Sequence, residues 1–194
     1  MPKEMTLGEL KDYLLDMPSL AEVAKNLANH NFIRIREKTH AGFFGKIFRE
    51  NNKTLKQHGI KDRASLVVQV LLEEEELGAD DFVVTFSKRD SVTRTYTDTI
   101  QVKLTATRIN DLQLKALELY GNDDSTVSTM KIAKHVPHQF EWKILDPDEE
   151  LSLKQKKKTI KQRAGDIDLK KPPLLFKDGD HIGVLVSGST VDDF

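Results

Sequence analysis

The residues able to do chemistry are few, and their spacing argues against catalysis. Asp178-Gly179-Asp180 sets two carboxylates two residues apart, as a metal-binding or acid–base pair would. A tight turn calls for the same types, because Asp bonds to nearby backbone and Gly takes the left-handed conformation, and the turn is the reading adopted. His135 and His138 stand closest among the six histidines, but Pro137 lies between them and no helix face presents both. The sequence offers no Gly-rich phosphate loop and no local grouping of Ser, His and Asp. None of the 194 residues is cysteine, which removes a thiolate nucleophile, thiolate zinc ligands and disulfides together. The expectation is a chain with no catalytic residue, no cofactor and no metal, made for protein contacts.

The candidates for such contacts are basic. Eight Lys or Arg fall between Lys154 and Lys171, and Lys154, Lys156, Lys157, Lys158, Lys161 and Arg163 form the dense part. Asp146, Asp148, Glu149 and Glu150 stand just upstream and can neutralise some of them. The run contains no aromatic residue to stack on bases, so nucleic acid is not the expected partner. A net charge of -1 also argues against binding a polyanion by bulk charge. Three readings stay open: a solvated loop insertion over about 146–171, an import signal, and a contact for an acidic protein. Few apolar side chains are available there to offset the ordering entropy, so the insertion is expected to be a mobile loop.

Several elements must carry these residues. Thr6 and Glu9 have the spacing of a capping box, and Leu7, Leu10, Leu14 and Leu15 follow on one helical face. Pro18 ends that helix, and Ser19 with Glu22 marks a second one to about Leu27. Phe32-Ile33-Arg34-Ile35-Arg36 alternates as a half-buried strand. If Ile33 and Ile35 face a core, Arg34 and Arg36 point to solvent and join the contact candidates. Leu66-Val67-Val68-Gln69-Val70-Leu71 is the most strand-prone run of the first half. Four consecutive glutamates and Gly78 then mark a boundary, dividing the chain into 1–76 and 77–194. In the second part, strands are expected at Phe82–Phe86, Tyr96–Leu104, Met130–Ala133, Phe140–Leu145 and Ile182–Val184. A helix over about 110–120 presents Leu112, Leu114, Leu117 and Tyr120. Phe43 and Phe44 read as core beside Ile47 and Phe48, with an exposed aromatic contact as the alternative. Trp142 reads as core, with an interface anchor as the alternative.

Hairpin, helix, further strands and a last central strand make the β-grasp order, so the fold class is α+β with two β-grasp (ubiquitin-like) domains in tandem. Thr54-Leu55, Ile60 and Leu66 resemble the closing segment of ubiquitin. Thr6-Leu7-Gly8-Glu9-Leu10-Lys11, Glu76-Leu77-Gly78-Ala79-Asp80-Asp81, Lys131-Ile132-Ala133-Lys134, Phe140-Glu141-Trp142 and Lys177-Asp178-Gly179-Asp180-His181-Ile182-Gly183-Val184 stand in an order that resembles the C-terminal tandem ubiquitin-like region of large ubiquitin-specific proteases. The resemblance is to the members numbered forty and forty-seven in the human nomenclature. The resemblance implies a non-catalytic region of a deubiquitinase that binds partners or substrates, or modulates the parent's own catalytic domain. A free-standing ubiquitin-like adaptor is the alternative.

Two departures qualify the resemblance. Only Met1–Met5 precede Thr6, so the first domain is expected to be either cut short of its N-terminal hairpin or degenerate, and the parent's catalytic Cys has no counterpart. Glu73 to Glu76 follow Leu71-Leu72 where conjugated modifiers carry Gly-Gly, so attachment through a terminus is not expected. An outward Arg34 and Arg36 would also repel readers of ubiquitin's apolar patch. No run approaches the roughly 18 apolar residues of a membrane span, and the N-terminus lacks a signal-peptide run. The expected state is a monomer, cytoplasmic or nuclear or both.

Overall fold

The computed structural model describes residues 4–20, 29–38, 44–78, 80–90, 92–93, 95–105, 108–123, 125–137, 139, 141–155 and 158–185, with backbone alone at 154, 155 and 158. The architecture is α+β: several sheets and few helices. The chain divides into two compact units, Met1–Ala79 and Asp80–Phe194.

In unit 1, helix α1 (Leu7–Leu15) begins where the capping box places it. Glu9 N donates to Thr6 Oγ1 at 3.2 Å, and Thr6 N donates to the Glu9 carboxylate at 2.7 Å. Strands β1 (Ile33–Lys38), β2 (Phe44–Phe48) and β3 (Leu66–Val70) form an antiparallel sheet in the order β2-β1-β3. Leu7 and Leu10 pack with Ile33, Ile35, Phe48 and Leu55 in one core. Leu55 N donates to Met5 O at 2.9 Å, which ties the segment after Thr54 to the entry of α1. Gly59 turns the chain at φ 75°. Residues 18–20 are helical, so Pro18 also opens a helix, as its fixed φ allows. The rest of the expected second helix lies outside the described residues, as does Phe43.

Unit 2 contains β4 (Phe82–Arg89), β5 (Tyr96–Leu104), helix α2 (Ile109–Tyr120), β6 (Lys131–Val136), β7 (Glu141–Ile144), β8 (Glu150–Gln155), β9 (Lys158–Arg163) and β10 (His181–Leu185). Five strands make one sheet in the order β5-β4-β10-β6-β7. Its centre is a parallel pair, β4 beside β10, and the other neighbours are antiparallel. Phe82, Val84 and Phe86 alternate into the core, where they meet Ile132, Ile182, Val184, Leu112 and Ala116.

The helix departs from its expected face. Ile109, Leu112, Gln113 and Ala116 are buried at i, i+3, i+4 and i+7, while Leu114 is 53% exposed. Its first turn begins one residue earlier than Asn110 suggests, with the Asp111 carboxylate accepting from Arg108 N at 2.9 Å. Gly121 closes it at φ -66°, without the left-handed turn. A Cβ there would lie 2.5 Å from the Leu117 carbonyl oxygen, so close approach rather than φ calls for glycine.

The segment 146–171 is not the loop expected from its charge. Its first part is the hairpin β8–β9. Its second part enters the core through Ala164, Ile167 and Leu169, each 4% exposed or less, and Leu174 and Phe176 follow. Burying each large side chain of this kind is worth about 1.5–3 kcal/mol, enough to order the backbone between lysines. The turn Asp178-Gly179-Asp180 delivers β10 to its slot. Asp178 Oδ1 accepts from Val83 N at 2.9 Å, Gly179 has φ 84°, and Asp180 forms an ion pair with Lys134 at 2.6 Å.

Candidate protein-contact surfaces

The hairpin β8–β9 is pinned on one face and open on the other. Leu151, Leu153, Ile160 and Gln162 share a face by register, and Leu151 and Leu153 pack against the unit 2 core. Glu150, Ser152, Lys161 and Arg163 share the opposite face. Lys161 pairs with Glu150 at 2.7 Å, and Arg163 with Asp148 at 3.8 Å. Both cations are about 70% exposed, so each pair contributes roughly 0–1 kcal/mol and stays available to a partner. Lys154 and Lys158 hold backbone positions opposite Thr159 and Gln155. Lys156 and Lys157 lie outside the described residues. The upstream acids thus meet the basic run through antiparallel register, not by proximity in sequence alone.

Arg34 and Arg36 are not a surface. Their side chains are 7% and 0% exposed. The guanidinium of Arg34 forms an ion pair with Glu75, with Nε donating to Oε2 at 2.8 Å, and Nη1 donates to Gln69 Oε1 at 3.3 Å. In Arg36, Nε and Nη2 both donate to Gly45 O at 3.2 Å, and the group lies 5.2 Å from the Phe44 ring centroid. Period-2 alternation is kept, but the second face of β1 is roofed. The chain after β3 returns across it, with Glu75 N donating to Asn31 O at 3.3 Å and Arg49 donating to Gly78 O at 2.8 Å. The expected basic face, and the argument built on it against ubiquitin-patch readers, therefore fall. Lys11 is drawn into the same wall. Burial holds its ammonium pKa below the usual value, with Glu75 and Asp12 opposing.

A cluster that sequence reasoning missed lies on the face of the large sheet turned away from α2. Trp142 stacks on Tyr96 with centroids 4.5 Å apart, and the rings of His135 and His181 lie 5.0 and 5.4 Å from Trp142. Arg89 sits 4.8 Å over Tyr96. Trp142 is half-buried there and takes no part in the helix-side core, which corrects the core reading. Ser87 bonds His181 Nε2 at 2.7 Å and Thr99 at 2.9 Å. A Ser–His pair resembles a nucleophile and its base, but Ser87 is fully buried and offers no approach to a carbonyl. Burial first, and then the charge of His135, holds the His181 pKa below its ordinary value. The residues meet only because β10 enters between β4 and β6. The one local signal was the polar Ser87 and His181 interrupting apolar strands. Among the described residues, no three metal-ligating side chains gather.

No family model matches the chain. Two mammalian proteins do. Over 186 residues the chain is 28% identical to ubiquitin carboxyl-terminal hydrolase 40 of Mus musculus and 25% identical to that of Homo sapiens. The chain is related to one region of that hydrolase. The match takes in 94% of this chain and 14% of either relative's length. Without a cysteine this chain is not itself a cysteine protease, and the likeness fits a deubiquitinase-associated region. Among the described residues, no helix is long and apolar enough to cross a membrane.

Proposed function

We propose that the chain is a non-catalytic tandem of ubiquitin-like β-grasp units, serving a deubiquitinase related to hydrolase 40 by binding partners or substrates or by modulating its catalytic domain. The supporting observation is the sheet order of unit 2. Counted within the five-stranded sheet alone, its strands run 2-1-5-3-4 with the first and last parallel and a helix between the second and third. That order is compatible with a β-grasp and supports the reading. Unit 1 follows the same order from its helix onward, as 5-3-4, with β3 in the place of the last strand. The contact element of this reading is the outward face of β8–β9, where Lys161 and Arg163 address an acidic protein. Attraction of this kind is long-ranged and is screened over about 8 Å at physiological salt.

The test uses the catalytic domain of hydrolase 40 and a fluorogenic ubiquitin substrate. The chain alone is expected to release no fluorophore. Added in excess to the catalytic domain, it should bind saturably by calorimetry or change kcat/KM. Turnover by the chain alone refutes the non-catalytic role. A catalytic domain neither bound nor altered by the chain refutes modulation in cis.

A further inference from the structure

Among the described residues every sheet has edges, and all but one of the edge strands carry the charges that keep edges from pairing. Among the described residues, β2 has Lys46, β5 has Asp98 and Lys103, β7 has Glu141 and Lys143, and the hairpin β8–β9 is rich in lysine. Natural edges are guarded by such charges, by proline or by bulges. Strand β3, Leu66-Val67-Val68-Gln69-Val70, has no charge and no proline, and its register with β1 runs without a bulge. An unguarded edge of this kind suits a strand that is normally covered.

The backbone shows which groups are free. Leu71 N donates to Phe32 O and Lys38 N donates to Ser65 O. Hydrogen-bonded pairs alternate along an antiparallel ladder, so Val67 and Gln69 also turn their N–H and C=O toward β1. Leu66, Val68 and Val70 turn theirs outward, and no described residue meets them. Unit 2 offers the comparison. Its last strand, β10, has β4 on the equivalent edge and is buried at four of five positions, whereas β3 is half-buried throughout.

We infer that the outer edge of β3 is a homodimer contact, in which two copies of this chain pair antiparallel about a two-fold axis through Val68. The outward groups are self-complementary in that register. Val68 faces Val68 of the second copy, and Leu66 faces Val70 in both directions. Three facing pairs exchange two bonds each, giving six. Leu66, Val68 and Val70 lie on the α1 side of the sheet, so the contact also joins six aliphatic side chains and sets no like charges opposite one another. The inference stands on this edge alone and needs no part of the ubiquitin-like reading. Two five-residue strands bury less than the roughly 1,000 Å² of a lasting interface, so the dimer is weak and depends on concentration.

Sedimentation velocity from about 10 to about 500 μM covers the range in which so small an interface fills. The weight-average mass should climb toward twice the monomer value. Hydrogen exchange at the Leu66, Val68 and Val70 amides should slow about tenfold with it, while the β1-facing amides stay unchanged. Val70→Pro removes an outward N–H and leaves the β1 bonds of Val67 and Gln69 intact, and it should be monomeric throughout. A double variant, Val67→Glu with Gln69→Glu, covers the case in which the proline impairs folding. In the proposed register it sets glutamates opposite each other twice, away from the α1 core, and should likewise stay monomeric. A mass that remains monomeric at every concentration overturns the inference. So does a dimer that survives in a folded variant, one that leaves the three amides unprotected, or a monomer in which something else already protects them.

Discussion

Replacing Arg34 distinguishes a buried wall from an exposed basic face. On an outward-facing strand position, Arg34→Met would fall within about 0.5 kcal/mol of wild type. The structure demands more. Arg34 is 7% exposed and Glu75 14%, so the ion pair is almost dry. Removing one partner leaves an uncompensated carboxylate against the sheet, and breaking buried pairs costs about 3–5 kcal/mol. Lys11 stands near Glu75 and offsets part of the loss, so about 3 kcal/mol is the working figure. For a unit the size of Met1–Ala79, that is a fall in Tm of about 12–24 °C. Amide exchange or NMR signals over Ile33–Lys38 report on unit 1 specifically during the melt. The double variant Arg34→Met, Glu75→Leu removes both charges and should recover most of the loss, because apolar replacement of a whole buried pair is often neutral. A single variant melting within about 2 °C of wild type, less than 1 kcal/mol would move it, refutes the buried pair.

Neutralising Lys156, Lys157, Lys158 and Lys161 to Gln should change calorimetric stability by no more than about 0.5 kcal/mol, since the Lys161–Glu150 pair is exposed and such pairs contribute little, while binding to an acidic partner weakens and loses salt dependence. Gly121→Ala puts a Cβ 2.5 Å from the Leu117 carbonyl oxygen and should cost unit 2 about 1–3 kcal/mol in urea unfolding. Acid should weaken unit 2 through its imidazoles. His181 and His135 both have pKa values held below the ordinary 6.5, so the unfolded chain binds more protons below that pH. Their contribution is complete above pH 6.5 and is lost as the pH falls from there through their lowered folded values; His181→Asn should flatten the slope, and an unchanged slope would assign it to other groups.

Local signals placed local structure, and they failed where a distant segment decided the outcome. Thr6 and Glu9 cap α1 because both partners sit within one turn. The strand β1 was legible from its alternation, and so was its core face. Its other face was not. Alternation says that Arg34 and Arg36 point away from Ile33 and Ile35, but not what they then meet. The answer is Glu75, 41 residues away, with Gly45 and Phe44. The glutamate run stands close to the division between the units, but its contacts were hidden for the same reason. Four like charges in a row mark a boundary by repulsion, and within that run Glu74 bonds Asn29 at 2.6 Å and Glu75 forms an ion pair with Arg34. Glu74 and Glu75 each meet a partner that repulsion along the sequence could not foretell.

The basic segment shows the converse, because its signal was present in the sequence and charge concealed it. Leu151 and Leu153 alternate with Ser152, as a half-buried strand requires, and Ile160 faces Leu153 across the hairpin. Eight cations between 154 and 171 outweighed that short alternation and made the stretch read as a loop. Once Leu151 and Leu153 are packed, the strand period sends Lys161 and Arg163 to the opposite side, where water and a partner can reach them. A mobile loop would spread its charge over many positions and would lose conformational entropy on binding. A hairpin seated on the core holds two cations on one face at fixed separation and has already met that cost in folding. Under the proposed function, the ordered β8–β9 backbone favours a shaped acidic surface over general attraction to negative charge. A partner bound this way should discriminate between Lys161→Arg, which keeps the charge but alters its reach, and wild type; attraction by charge alone would leave the two equal in affinity.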